Sequence, residues 1–222
     1  MLRTLLFLCF FSPFLSYSQI SMIELPEKSV PEPFGRDGIV DDWNLNQPGY
    51  YRLADQAKTL LYWTNYCRYN PKKFLDSVLN PILDLFPSLN KQEAASLRVD
   101  LEKRGPLPMY SLELTLTKTA QLHASDIARK KSPISHVSTN GADFGSRMKQ
   151  AGIQRCASEN ISLSSQSILL SLVLLYLDIG LPELGHRKAL MDPNLREIGI
   201  GAALYGKDQY FLVQDLACSQ NQ

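Results

Sequence analysis

Apolar residues along this chain change their period as it proceeds. Leu53, Ala57, Leu60, Leu61 and Cys67, with Thr64 in phase, recur at helical spacing and predict an amphipathic helix. Asn70-Pro71 stops it, since a residue before proline is driven out of the helical region. A second short helix carries Phe74, Leu75 and Val78 and ends at Asn80-Pro81. Asn90 with Glu93 three residues on reads as a capping box, and Gly105 closes the helix it would start. From Leu112 to Lys130 the stripe is Leu112, Leu116, Ala120, His123 and Ile127, which puts His123 on a buried face as a hydrogen-bonded core residue. Asp143 can cap a short helix bearing Arg147 and Met148, closed by Gly152. Ser165 opens the run Ile168 to Leu177, interrupted by Ser171 and ended by Gly180 and Pro182. This run is too short for a bilayer, which needs ~20 apolar residues, and suits a helix enclosed inside a domain.

After Pro193 the period becomes two. Ile198, Ile200, Ala202 and Leu204 alternate, Tyr205-Gly206-Lys207-Asp208 turns, and Phe211, Val213 and Asp215 alternate against Tyr210, Leu212 and Gln214. That is a hairpin, expected in the middle of a sheet with the 168–177 helix over one face. Helices first, strands late and no strand–helix–strand rhythm predict an α+β domain with an antiparallel sheet.

The N-terminal end is different in kind. Arg3, the apolar run to Phe11, Pro13 and the small residues Ser16 and Ser18 form a secretory signal peptide, residues 1–18. Residues 19–50 carry four prolines and three glycines and are expected as an extended arm, which leaves 51–218 as the domain. Removing 1–18 takes away Arg3 and leaves 22 basic and 22 acidic residues. A neutral chain has no field to draw nucleic acid or an anionic membrane. A monomer without a transmembrane segment, secreted or periplasmic, is expected. Export permits disulfides. Cys67, Cys156 and Cys218 allow three pairings and leave one thiol over.

The chain has three histidines. His136 follows one helix-like stretch, His186 follows another, and Glu159 lies between them in Ser158-Glu159-Asn160-Ile161. Two imidazoles and a carboxylate at the edges of regular elements can converge as metal ligands or as an acid/base set. The spacings of 23 and 27 residues match no local metal motif, so convergence depends on the fold.

Ser135-His136, Asn140-Gly141, Ser146-Arg147-Met148, Gly152, Ser158-Glu159-Asn160-Ile161, Gly185-His186-Arg187, Ile198-Gly199-Ile200-Gly201 and Tyr210-Phe211-Leu212-Val213-Gln214 occur in one order. This series resembles the CAP superfamily, or SCP domain, in its bacterial branch, over roughly Ala54 to Cys218. The resemblance implies a three-layer α-β-α sandwich with a mainly antiparallel central sheet. It also implies a cleft lined by two histidines and two acids, which carry over as His136, His186 and Glu159. The second acid follows a Trp or Tyr in the family, and here the candidates are Asp178 and Glu183, with Asp178 nearer the helix end. Asn160 reads as a structural amide, Arg187 as a solvated or salt-bridged neighbour and Ser135 as a turn residue.

His136 and His186 suit a divalent transition ion, zinc above all. No His-Glu-x-x-His, nucleophile turn or Ser-His-Asp order is present. The expected function is therefore a non-catalytic module whose cleft binds a metal and a small-molecule, lipid or peptide ligand. The alternative is a metal-dependent hydrolase with Glu159 as general base.

Overall fold

The computed structural model describes residues 23–220 apart from 31, 34, 165 and 166. The leader 1–18 and Ser165 lie outside the described residues. The described residues among 23–37 form no regular element, but Ile23, Leu25 and Val30 pack on the core. Part of the expected arm is helical instead: α1 spans Gly38–Leu45, with the Asp37 carboxylate accepting from the Ile39 and Val40 amides. The prolines and glycines around it mask a cap followed by Val40 and Asn44, one turn apart and both fully buried. Trp43 Nε1 donates to the Tyr110 carbonyl at 2.9 Å and ties α1 to the domain.

Helix α2, Asp55–Tyr69, is buried on nearly every side from Leu60 to Arg68. The chain turns at Asn70 and runs on through α3 (Pro71–Phe74), a π-helical turn (Leu75–Leu79) and α4 (Asn80–Leu85). Pro81 therefore does not end the helix. The wide turn, in which the Asn80 amide reaches the Leu75 carbonyl, makes the local adjustment that a proline inside a helix requires. Helix α5 spans Gln92–Lys103 with Lys91 at its cap and no side-chain capping bond. The expected capping box fails because both members have other partners: Asn90 accepts from Arg98, and the Glu93 carboxylate accepts from the Gly180 amide.

Strand β1 (Ser111–Leu112), helix α6 (Leu114–Lys130), helix α7 (Phe144–Gln150), strand β2 (Ala157–Ser164), helix α8 (Ile168–Leu177), helix α9 (Gly185–Met191) and strands β3 (Leu195–Leu204) and β4 (Tyr210–Cys218) complete the domain. Ser167 caps α8 and Asp143 caps α7. Among the described residues the sheet has four strands in the order β1-β3-β4-β2. The β3–β4 hairpin is central, β2 pairs antiparallel with β4, and β1 pairs parallel with β3. The sheet is thus mixed, mainly antiparallel, as a two-residue strand at one edge adds the parallel pair.

Alternation divides the faces. Ile198, Ile200, Ala202, Leu212 and Leu216 face α2 and α8 in the main core. Ile161, Phe211 and Val213 face Ala120, Ala124 and Ile127 of α6. Gly199 and Gly201 share this second face, where a Cβ would run into the Leu116 and Ala120 backbone. Helix α6 can lie this close only because those two strand positions have no side chain. The layers are α2 with α8, the sheet, and α6: an α-β-α sandwich.

Candidate functional site

Glu159 lies on the α6 side of β2, in phase with Ile161, and its side chain is 1% exposed. His136 sits in the loop after α6 and its Nδ1 meets Glu159 Oε1 at 2.8 Å. Arg147 of α7 donates from Nη2 to Glu159 Oε2. Its Nη1 donates to the His136 carbonyl at 2.8 Å, so one guanidinium holds both members of the pair. Burial pushes the Glu159 carboxyl up, but the His136 hydrogen bond and the Arg147 charge outweigh it and hold the group below its ordinary range. Glu159 is an ionised, fully engaged carboxylate.

Behind this pair, His123 Nε2 meets the Ser135 carbonyl at 2.9 Å and Nδ1 meets Ser138 Oγ at 3.0 Å. A carbonyl only accepts, so Nε2 carries the proton and Nδ1 accepts from Ser138. Burial pushes His123 below its ordinary pKa and keeps it neutral. It is the hydrogen-bonded core histidine that its helical phase predicts.

Asp215 of β4 is paired in register with Glu159 and faces the same side. It is fully buried, and Thr119 of α6 donates to its Oδ2 at 2.6 Å. Its Oδ1 has no donor facing it. Burial first and the Glu159 charge second push Asp215 well above the carboxyl range, so it is held as the neutral acid. Two adjacent buried carboxyls with one cation cannot both ionise in a low dielectric. In the sequence, Asp215 shares the inward phase of Phe211 and Val213, and an acid at an apolar position was the available signal for it. Arg147 shows no such signal, because its helix is too short for a clear apolar phase.

The second pair is built at the other end of α8. Asp178 ends that helix in the left-handed region, φ 52°, and Leu184 precedes α9 at φ 50°. Aspartate tolerates this conformation better than most residues. Asp178 Oδ1 meets His186 Nδ1 at 2.5 Å, and Oδ2 accepts from the Arg187 amide at 2.9 Å. Arg187 is not solvated. Its guanidinium is buried and donates to the carbonyls of Tyr176, Leu177 and Glu93, to Ser96 Oγ, and to Asp100 at 3.3 Å. It ties α9 to α5 and α8. Asn160 is structural as expected, buried on the opposite face from Glu159 beside Gln214.

The candidate residues are thus brought together two by two, His136 with Glu159 and His186 with Asp178, and among the described residues no hydrogen bond joins the pairs. Glu183 is not part of either. Among the described residues no group of three or more His, Cys, Asp and Glu side chains is arranged to hold a metal ion. An ionised carboxylate only accepts, so Nδ1 carries the proton in each pair. Each ring is left with Nε2 as its lone-pair atom, the orientation that carboxylates impose on metal-ligating imidazoles.

A groove of about 830 Å³ runs between the outer side of α6 and the 138–151 segment. His123, Ser138 and Arg147 line its floor, so Arg147 belongs to both the groove and the Glu159 pair. Cys156 and Cys218 form a disulfide with Cα atoms 5.5 Å apart, joining the start of β2 to the end of β4. Cys67 is free and buried. No helix among the described residues is long and apolar enough to cross a membrane.

Solved structures similar to this chain include an extracellular SCP-domain protein from Bacillus anthracis str. Ames, at 20% identity and TM-score 0.41, covering 63% of this chain and 43% of that one. An outer surface protein from Borrelia burgdorferi aligns at 17% identity and TM-score 0.42, covering 67% of this chain and 95% of that one. A cysteine-rich secretory protein from Staphylococcus aureus subsp. aureus Mu50 aligns at 14% identity and TM-score 0.34, covering 62% and 38%. The chain thus spans less than half of the Bacillus and Staphylococcus proteins. No curated protein matches it. Residues 95–216, more than half of the 222, match the cysteine-rich secretory protein family, CAP, and the chain belongs to that family.

Proposed function

We propose that this chain is an exported, non-catalytic CAP module that binds a ligand at its histidine–acid pairs. The observation that carries the reading is the state of Glu159. A general base needs an accessible carboxylate with a pKa near the working pH. Glu159 is buried, held below the ordinary range, and has one oxygen on His136 and the other on Arg147. That counts against the hydrolase alternative. Export is supported by the leader-like 1–18 and by the Cys156–Cys218 disulfide, which needs an oxidising compartment.

Zinc at His136 and His186 is part of this proposal, through the Nε2 atoms, with Glu159 and Asp178 orienting the rings. Two imidazoles fall short of the three or four protein ligands of a resident zinc, so the ion would be an exchangeable guest. Thermal melting with added zinc tests this, in wild type, His136→Ala and His186→Ala. A bound ion at a hundredfold excess over Kd adds about 2.7 kcal/mol, and either substitution is expected to remove that gain. A flat titration in wild type withdraws the metal and leaves the binding module. Zinc-dependent turnover of peptide or ester probes that disappears in Glu159→Gln would overturn the non-catalytic reading.

A further inference from the structure

The groove outside α6 lies on the far side of that helix from the sheet and includes none of His136, Glu159, Asp178 or His186. Thr115, Lys118, Leu122, Asp126 and Arg129 follow one another along a single face of α6 and form one wall. The fourteen steps from Thr115 to Arg129 at 1.5 Å each give it a length of ~21 Å. Six residues of extended peptide, at about 3.4 Å each, fill that length.

The charge is one-sided in a chain that is otherwise balanced. Lys118 and Arg129 stand exposed with no ion pair among the described residues, whereas Arg147 at the floor is already paired with Glu159. Asp126 does not offset them, because Thr139 and Lys130 already engage its carboxylate. Asn140 and Gln150 add amide donors to the opposite wall. Two unpaired cations facing two amides call for a ligand that carries negative charge. No Phe, Tyr or Trp lines the groove and the His123 ring is buried, so sugar rings and bases find no stacking platform, while Leu122 is 61% exposed.

We infer that the α6–α7 groove binds an extended acidic peptide, with Lys118 and Arg129 taking its carboxylates. This deepens the binding-module reading by giving it a ligand class at a second place on the same domain.

The test is fluorescence anisotropy with the exported chain and a labelled hexapeptide of alternating Glu and Ala. The hexapeptide is expected to bind saturably. Its Gln–Ala counterpart is expected to bind at least tenfold more weakly. Lys118→Glu with Arg129→Glu is expected to weaken the acidic probe at least tenfold, while Lys73→Glu on the distant α3 leaves it unchanged. Melting temperatures equal to wild type show that the double variant is folded. Absence of binding, equal binding of both peptides, or indifference to the double substitution overturns the assignment. So does binding confined to a sulfated oligosaccharide of matched charge, which would make this a glycan surface. Mass spectrometry of the same samples separates this from the reading it rests on: cleaved hexapeptide would overturn the non-catalytic module and leave the groove assigned.

Discussion

Glu159 and Asp215 lie in register on adjacent strands, buried under α6, with the Arg147 guanidinium as their shared cation. One carboxyl is ionised and the other keeps its proton. Glu159 has one oxygen on His136 and the other on Arg147, while Asp215 is held by Thr119.

Asp215→Asn should stabilise the protein at neutral pH. An acid whose folded pKa is raised contributes stability in full below its unfolded pKa, near 4. That contribution is lost as pH rises through the folded value. Across this window wild type should lose ~1.4 kcal/mol per pH unit relative to the variant, which cannot ionise. Melting curves from pH 4 to 8 check it. Parallel curves for the two proteins would show that Asp215 ionises freely.

Arg147→Leu should cost about 3–5 kcal/mol, because it leaves the Glu159 charge buried without its guanidinium. Adding Glu159→Gln to that variant should recover part of the loss, since it removes the uncompensated charge. Chemical denaturation of both singles and the double closes the cycle. Additive effects would mean that the two side chains do not interact.

The sequence predicted the central hairpin because Ile198, Ile200 and Ala202 alternate without interruption, and such a pattern requires a core face. His136, Glu159, Asp178 and His186 were also legible, from the residues around them. How they divide was not. Spacing along the chain does not say which end of α8 a residue returns to, and the pairing is set by Asp178 adopting a left-handed turn that any helix end could take. Helix α1 was hidden because part of its stabilisation comes from distant partners, among them the Tyr62 hydroxyl, which accepts from the Asp37 amide at 2.7 Å. Pro81 was misread for the same kind of reason: proline forbids an ordinary helical bond, and a wider turn is still open to it.

Gly199→Ala should cost at least about 3 kcal/mol, since the added methyl meets helix backbone and not a movable side chain. The urea midpoint measures it. An unchanged midpoint would mean that α6 does not rest on the sheet at this point.

Cys156→Ser should lower stability by about 4 kcal/mol if the 62-residue separation acts through loop entropy. Thiol titration of the chain lacking residues 1–18, and with them Cys9, should find one reactive group after denaturation and none before it. Burial pushes the Cys67 thiol up to about 12, and the native domain covers it. Three thiols on denaturation would show that the disulfide does not form.

Arg187 gives the loop between α8 and α9 a property that its exposed residues do not suggest. Its buried hydrogen bonds run to two helices at once, so the turn carrying His186 cannot open without detaching from both. The Arg187 amide, held by Asp178 Oδ2, is expected to exchange slowly as a result. His186 is therefore presented on a fixed shelf and not on a flap, and a ligand meeting it finds the ring already ordered by folding.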